Sequence, residues 1–488
     1  MNDDHNRQHR MIIHQKDNVE VLLQAEGNIP VGHKRALRDI AEGEQIIKYG
    51  HPIGRAKRDI KAGEWVHDHN LRSDIPLQDE YQYEPLPGLT GTTGMSGEPG
   101  FPGQSATFMG YLRANGEVGI RNELWLIPTV GCVASLAEEA GRQFAGETGL
   151  TVRILTHPFG CSQLGDDHQR TADLLLALGQ HPNAGGVLFV GLGCENNQVS
   201  ALKEKLPPTD RIRYIETQKV DDEQEAIRQQ LNELSAIMQS DQRTPCPLSK
   251  LRIGLKCGGS DAFSGLTANP LLGQLTDMLA PQGAHMVLTE VPEMFGAERL
   301  LMARCINEEL FQSLVSLIND FKQYFIQHDQ PVGENPSPGN HDGGITTLEE
   351  KSLGCIQKGG SAVVTDVLRY AQRLRRPGLT LLEAPGNDLV AATALAASGC
   401  QMVLFTTGRG TPFSTCVPTL KISTNTALYQ RKPHWMDFNA GALLDGIPMS
   451  QLLQQLLQLV IATASGQKAL GERLGSHPIA IWKGGVTL

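Results

Sequence analysis

The feature that most constrains this chain is an alternation that sets in near residue 108, where short apolar runs of strand length are each followed by an amphipathic stretch of helical period. LWLIPTV precedes ASLAEEAGRQFAG, VRILTH precedes DDHQRTADLLLALGQ, and GGVLFVGL, RIGLKC, HMVLTEV, LTLLEAP and MVLFTT continue the series. Strands separated by helices cannot pair through tight hairpins, so the pattern predicts mostly parallel sheets covered by helices on both faces. At 488 residues the chain exceeds one ordinary domain, and more than one such unit is expected. A Gly/Pro/Asn-rich stretch, PVGENPSPGNHDGGITT at 331–347, predicts a first α/β lobe at 108–330 and a second at 348–488.

Residues 14–80 follow a different rule. DNVEVLLQ, NIPVGHK, EGEQIIKYGHPIG and KAGEWVHDHN are short β segments divided by turn signals, which predicts a small all-β domain. Between them and the alternating region, 81–107 is so rich in Gly, Pro, Ser and Thr that no apolar face can be drawn on it, and a flexible linker is expected. The predicted fold class is therefore mixed, an N-terminal all-β domain followed by two α/β lobes.

A net charge of −10 excludes the basic footprint that nucleic acid or an anionic membrane surface demands. The longest apolar run, LLQQLLQLVIATA, is broken by glutamines and falls short of the ~20 residues of a bilayer span. The start, MNDDHNRQHRMII, lacks the apolar core of a secretory signal, and nine cysteines spread from Cys132 to Cys416 form no dense framework. A soluble cytoplasmic protein with reduced thiols is expected.

In open α/β sheets ligands bind beyond the carboxyl ends of the strands, which directs attention to the residues after each apolar run. These tips carry Cys132; His157, Cys161, Asp166, Asp167 and His168; Cys194, Glu195 and Asn196; Cys257, Ser260 and Asp261; Glu290 and Glu293; Asn387 and Asp388; and Arg409. GLGCEN lacks the third glycine of a dinucleotide turn, with Asn196 in its place, and no phosphate-binding P-loop string occurs. TGRGT suits a carboxylate, with Arg409 as the fork. In the β domain, His67 and His69 of VHDHN are two apart, so on a strand both would project from one face toward a divalent ion, with His33 the nearest further imidazole in sequence.

Taken in order, GHKRALRDIAEGEQIIKYGHPIG, KAGEWVHDHN, RANGEVGIRNELWLIPTVGCV, GCSQLGDDH, GLGCENNQ, CGGSD, GLTANPLLGQ, LTEVPEMFGAE, ENPSPGN, GGITTLEEKSLGC, APGND, LFTTGRGTP and the closing GVTL closely resemble the altronate/galactarate dehydratase family. The likeness runs from about residue 14 to 488, and its N-terminal part is similar to the β-clip module called SAF. Trp65 stands where the family string often has a third alternating histidine, and the linker GLTGTTGMSGEPGFPGQS looks particular to this chain. The resemblance implies removal of water from D-altronate to give 2-keto-3-deoxy-D-gluconate, with iron(II) or manganese(II) as activator. For that chemistry His168 or Lys358 is a candidate base, Asp167 a partner to orient His168, and Arg409, Arg121, Asn196 and Asn387 candidate substrate contacts. Candidate metal ligands are His67, His69, His33, Cys161 and Cys194. The implied partner is a small sugar acid, and a homodimer is compatible with the family. Competing readings are a galactarate dehydratase, an iron–sulfur hydro-lyase using Cys132, Cys161, Cys194, Cys257 or Cys355, and a non-catalytic sugar-acid-binding protein. The cluster reading finds no CxxC or CxxxC pair to support it.

Overall fold

Two small antiparallel sheets build the N-terminal head, one from Arg10–Met11, Val19–Leu22, Lys34–Ala36 and Trp65–Val66, the other from Gln45–Lys48, His51–Ala56 and Leu71–Arg72. The computed structural model describes residues 9–76, 79–87, 106–473, 477 and 479–485. An internal repeat explains the head's compactness: RDIAEGE at 38–44 and RDIKAGE at 58–64 make the same turn twice. Ile40 and Ile60 pair across the repeat, Asp39 accepts from the Ala62 amide at 2.9 Å and Asp59 from the Glu42 amide at 2.9 Å. Of the expected linker, residues 81–87 pack against the body, Tyr81 Oη donating to Glu298 at 2.6 Å and Tyr83 Oη to the Cys305 carbonyl at 3.1 Å. Residues 88–105 lie outside the described residues.

The next domain holds a parallel sheet ordered Val152–Ile154, Glu123–Pro128, Ala184–Gly191, Ile212–Glu216. Its central strand shows the two-residue period of a sheet buried on both faces: Leu124 and Leu126 join one apolar cluster, with Phe144 and Leu231 from the helices Ala134–Thr148 and Glu223–Met238. Trp125 and Ile127 face the opposite way, toward the cluster shared with the helix Gly165–Leu178 and the rest of the body.

The largest layer is a seven-stranded parallel sheet ordered Val364–Leu368, Gly378–Leu382, His285–Leu288, Arg252–Cys257, Met402–Thr407, Thr419–Ser423, Phe438–Asn439. Strands from both sides of 331–347 alternate within it, Leu255 pairing with Leu288 and with Leu404. The division expected at 331–347 therefore does not separate two sheets; the break lies between Ile212–Glu216 and Arg252–Cys257. Gly and Pro mark irregular backbone whether it joins domains or walls a pocket, and here residues 333–338 do the second.

The two parallel sheets share an orientation. His181 Nε2 lies 3.0 Å from the Cys400 carbonyl and Asn183 Nδ2 donates to the Gln401 carbonyl at 2.9 Å, just before the strands that begin at Ala184 and Met402. Both sets of carboxyl-end tips thus lie at one end of the molecule.

The head docks there through buried charge. Lys34 Nζ reaches Glu350 at 2.8 Å, Thr346 Oγ1 at 2.7 Å and the Gly344 carbonyl at 2.8 Å, while Lys48 Nζ meets the other Glu350 oxygen at 2.7 Å. Burial opposes the carboxylate, yet Lys34 and Lys48 hold Glu350 down to about 2. Replacing Glu350 by Ala leaves two lysines buried beside each other, at a cost of about 3–5 kcal/mol. Urea unfolding of Glu350→Ala is expected to show that loss, and an unchanged midpoint would mean the head is held by packing alone.

Candidate active site

A cleft of about 1010 Å³ opens where the head meets the tips of the seven-stranded sheet. Its floor comes from the strand Arg252–Cys257, which delivers Cys257 and the turn Gly258–Gly259, and from the short 3₁₀ turn Val291–Met294, which delivers Glu293. Gly258 is required there, since a Cβ would fall 2.5 Å from Phe405 Cζ and 2.7 Å from Asp388 Oδ1. Lys351 enters from the helix Leu348–Cys355, and residues 335–338 with His341 form a wall.

The floor is a dense set of buried charges. Cys257 and Cys355 Sγ lie 3.3 Å apart, each 3.1 Å from Glu293 Oε2, and Lys358 Nζ is 3.0 Å from Cys257 Sγ. Lys351 pairs with Glu293 at 2.8 Å, and Lys256 bridges Glu290 at 2.5 Å and Asp388 at 2.8 Å. The environments push the two glutamates apart. Burial and the nearby Glu293 carry Glu290 well above the carboxylate range, whereas Lys351, Lys358 and Lys256 overcome burial and hold Glu293 at about 2. The hydrogen bond from Cys355, reinforced by Lys358 and Lys351, lowers Cys257 to about 6, and the donor Cys355 is pushed far up. Three ammonium groups, Lys256, Lys351 and Lys358, then face Glu290, Glu293, Asp388 and Cys257. Glu290 also holds a left-handed backbone at φ 67°, a strain of roughly 1–3 kcal/mol that the surrounding packing must sustain.

Beside the cleft, the head meets His341, which is one of the cleft's lining residues. His67, Asp68 and His341 place one donor atom each within 4.8 Å of one another. Burial and the Lys34 charge lower His67 to about 4, so its imidazole is neutral with a lone pair to give. His67 Nδ1 lies 3.3 Å from Thr346 Oγ1, and His341 Nδ1 is buried without a hydrogen-bond partner among the described residues. His33 is buried behind them, its Nδ1 accepting from Trp65 Nε1 at 3.2 Å and its Nε2 lying 3.4 Å from the Asp342 carbonyl.

Several sequence expectations need correcting. His67 and His69 do not share a strand face: the strand stops at Val66, and Asn70 Oδ1, accepting from the His67 amide at 2.9 Å, curls the chain into a turn with His67 inside and His69 exposed. Arg121 is not available to a substrate, because all five guanidinium donors are used, on Glu472, Ile120, Thr463 and Gln467. Asp167 does not orient His168. It accepts from the Gly484 and Gly485 amides at 2.9 and 2.7 Å, while His168 Nε2 faces the Asn196 carbonyl at 3.2 Å. Lys358 is buried against Cys257, whose charge overcomes burial and keeps it protonated, which makes it a counter-ion rather than a base. Asn387 lines the cleft, but its Oδ1 caps the helix Asp388–Ala397 at 3.1 Å from the Leu389 and Val390 amides. Arg409 stands half-exposed at the rim, 3.9 Å from Asp342 and beside Gly339. Cys161, Cys194, Asn196 and His168 sit on the tips of the other sheet and do not line the cleft.

Lys351 and His341 escaped sequence reasoning, and Cys355 entered it only as one of five cysteines for a cluster, not as the partner of Cys257. His341 falls in the stretch read as a boundary, and 98 residues separate Cys257 from Cys355, so no local spacing announces the thiol pair.

Two glutamates whose surroundings push their proton affinities apart, with lysines and a thiolate on the floor of one cleft, mark an α/β enzyme suited to acid–base work. Family descriptions match throughout: "Altronate/galactarate dehydratase SAF domain" over 13–74, "D-galactarate dehydratase/Altronate hydrolase, second domain" over 110–240, and "D-galactarate/Altronate dehydratase, C-terminal" over 248–487. The altronate dehydratase of Bacillus subtilis (strain 168) is 53% identical over 476 residues, covering 96% of this chain and 94% of that protein. The altronate dehydratase of Escherichia coli (strain K12) is 51% identical over 503 residues, covering 98% and 99%. The galactarate dehydratase (L-threo-forming) of Escherichia coli (strain K12) is 32% identical over 514 residues, covering 95% and 94%. The chain belongs to the altronate/galactarate dehydratase family.

The two arginines should separate experimentally. Arg121→Ala strands the buried Glu472 carboxylate and is expected to cost about 3–5 kcal/mol, whereas Arg409→Ala at the rim should stay within about 0.5 kcal/mol. Equal denaturation midpoints for both variants would contradict this placement.

Proposed function

We propose that this chain removes water from D-altronate to give 2-keto-3-deoxy-D-gluconate, with iron(II) or manganese(II) as activator. The observation that carries the reading is the buried cluster of Glu290, Glu293, Cys257 and three lysines at the foot of the cleft, beside which His67, Asp68 and His341 form a donor set. Two relatives above half identity over almost their whole length bear the same activity in their names. Nine free cysteines suit the reducing cytoplasm, and no helix among the described residues is long and apolar enough to cross a membrane.

The proton next to a carboxylate is weakly acidic, so the elimination needs positive charge on that carboxylate as the carbanion forms. Lys351 lines the cleft and Arg409 stands at its rim, and these two cations orient the acid end of the sugar. The donor set His67, Asp68 and His341 fits a divalent transition ion, two imidazoles and a carboxylate with a buried His341 nitrogen left unpaired among the described residues. Bound there, the ion supplies Lewis-acid charge to the carboxylate. Cys257 is ionised at neutral pH and is the floor group able to take the C2 proton, with Lys358 as its counter-ion. Glu290, whose proton affinity burial raises, is the candidate acid for the departing C3 hydroxyl, and Lys256, bonded to both Glu290 and Asp388, links it to the cleft.

A panel of aldonates and aldaric acids tests the substrate. Turnover of D-altronate is expected, and turnover of galactarate alone would transfer the chain to that branch of the family. Exhaustive metal stripping should abolish activity and iron(II) or manganese(II) restore it; full activity in excess EDTA would remove the ion from the reaction. Because the base must be ionised, kcat/KM is expected to fall as pH drops through about 6, the value to which Cys257 is lowered. Cys257→Ser should lose at least ~100-fold of turnover, the low end for losing a general base.

A further inference from the structure

The cleft leaves unexplained the tips of the four-stranded sheet, where three cysteines are exposed. Cys132 follows the strand Glu123–Pro128, Cys161 follows Val152–Ile154 and Cys194 follows Ala184–Gly191, three neighbouring strands running in parallel. Each cysteine is joined in sequence to a residue that laces two tips together. The Gly131 amide donates to the Phe159 carbonyl at 2.8 Å, and Cys132 comes next. Gly160 accepts from the Asn197 amide at 3.1 Å, and Cys161 comes next. Glu195, directly after Cys194, accepts from Thr129 Oγ1 at 2.7 Å and from the Gly193 amide at 2.6 Å.

The lacing is tight. A Cβ on Gly160 would fall 2.1 Å from the Thr129 carbonyl, so that position admits glycine alone, and its φ of 105° requires the same. Ser162, its amide donating to Asn196 Oδ1 at 2.8 Å, holds a left-handed φ of 56° although it is not glycine. Backbone strain and close approach are spent on holding three loops together, and what the loops present is three thiols. In the same place Asn197, 3% exposed, keeps a side-chain nitrogen with no hydrogen-bond partner among the described residues.

Exposed thiols are reactive and invite oxidation, so three of them on one rigid edge call for a ligand. A single ion bonded to sulfur at about 2.3 Å would draw three sulfurs within roughly 4 Å of one another. These three are not among the described groups whose donor atoms close within 4.8 Å, which disfavours a mononuclear site. A four-iron, four-sulfide cube holds its thiolates farther apart, and three thiolates leave its fourth iron without a protein sulfur. The absence of a CxxC pair is no obstacle, since adjacent strand tips do the work that close spacing does elsewhere.

We propose that Cys132, Cys161 and Cys194 hold an iron–sulfur cluster at the tips of the four-stranded sheet, with one iron left open to an oxygen ligand. The site is separate from the His67, Asp68 and His341 donor set. It rests on the placement and exposure of the three thiols on adjacent, laced strand tips, so it can be tested without turnover.

The full chain, purified and reconstituted anaerobically with ferrous iron and sulfide, is expected to carry about four irons and four acid-labile sulfides and a broad brown absorption. Cys132→Ser, Cys161→Ser and Cys194→Ser should each lose most of the sulfide, and Cys257→Ser should keep it. Iron without sulfide, zinc in its place, sulfide retained in the three variants, or sulfide lost from Cys257→Ser would each overturn the proposal. Should a variant fail to fold, thiol alkylation of the unmodified chain decides. The three thiols are expected to resist alkylation in the reconstituted protein and to react after chelation, and equal reactivity in both states would refute the site.

Discussion

The Glu350 carboxylate, clasped between Lys34 and Lys48, is the contact on which the functional geometry depends. It is the counter-charge for two buried lysines that arrive from two different sheets of the head. Exchanging such a group for an apolar one can leave stability unchanged, but removing one partner strands a charge, so the triad fixes orientation more firmly than it adds stability. Orientation is what the cleft needs. His67 and Asp68 belong to the head and His341 to the body, and they form one donor set only while the head keeps this angle.

The cleft floor obeys the same logic of compensated burial. Lys256, Lys351 and Lys358 are all buried, and each lies within 3.0 Å of an acid or a thiol. Glu290 is the acid whose proton affinity burial and Glu293 raise, and it also sits on a strained backbone. Strain and a displaced proton affinity at one residue, beside a second acid shifted the opposite way, separate a reacting site from a merely charged pocket.

The class of fold was legible because it rests on periodicity. Residues such as Leu124, Trp125, Leu126 and Ile127 are all buried, and an unbroken apolar run between amphipathic segments can only be an inner strand of a covered sheet. The lobe boundary was not legible, because 331–347 has a linker's composition and a binding loop's position. Strand tips pointed correctly to Cys257, Glu293 and Asp388, which follow apolar runs directly. The same rule gave equal weight to Asp167, and the family resemblance added Arg121; nothing in spacing could show that a distant glycine pair or Glu472 already occupied them. The histidine pair failed for a smaller reason, a strand that ends one residue before His67.

The grip of Asp167 on the Gly484 and Gly485 amides bears on the order in which the molecule is made. The second domain is continuous in sequence, yet Arg121 is held by residues 463–472 and the start of the helix Gly165–Leu178 by residues 484–485. A ribosome releases those segments some three hundred residues after the sheet they complete. During synthesis this domain must therefore wait, with Asp167 and the Arg121 guanidinium hydrated, until those segments emerge. Folding from the N-terminus onward can build its hydrophobic layers, but only residues made some three hundred positions later can seal it.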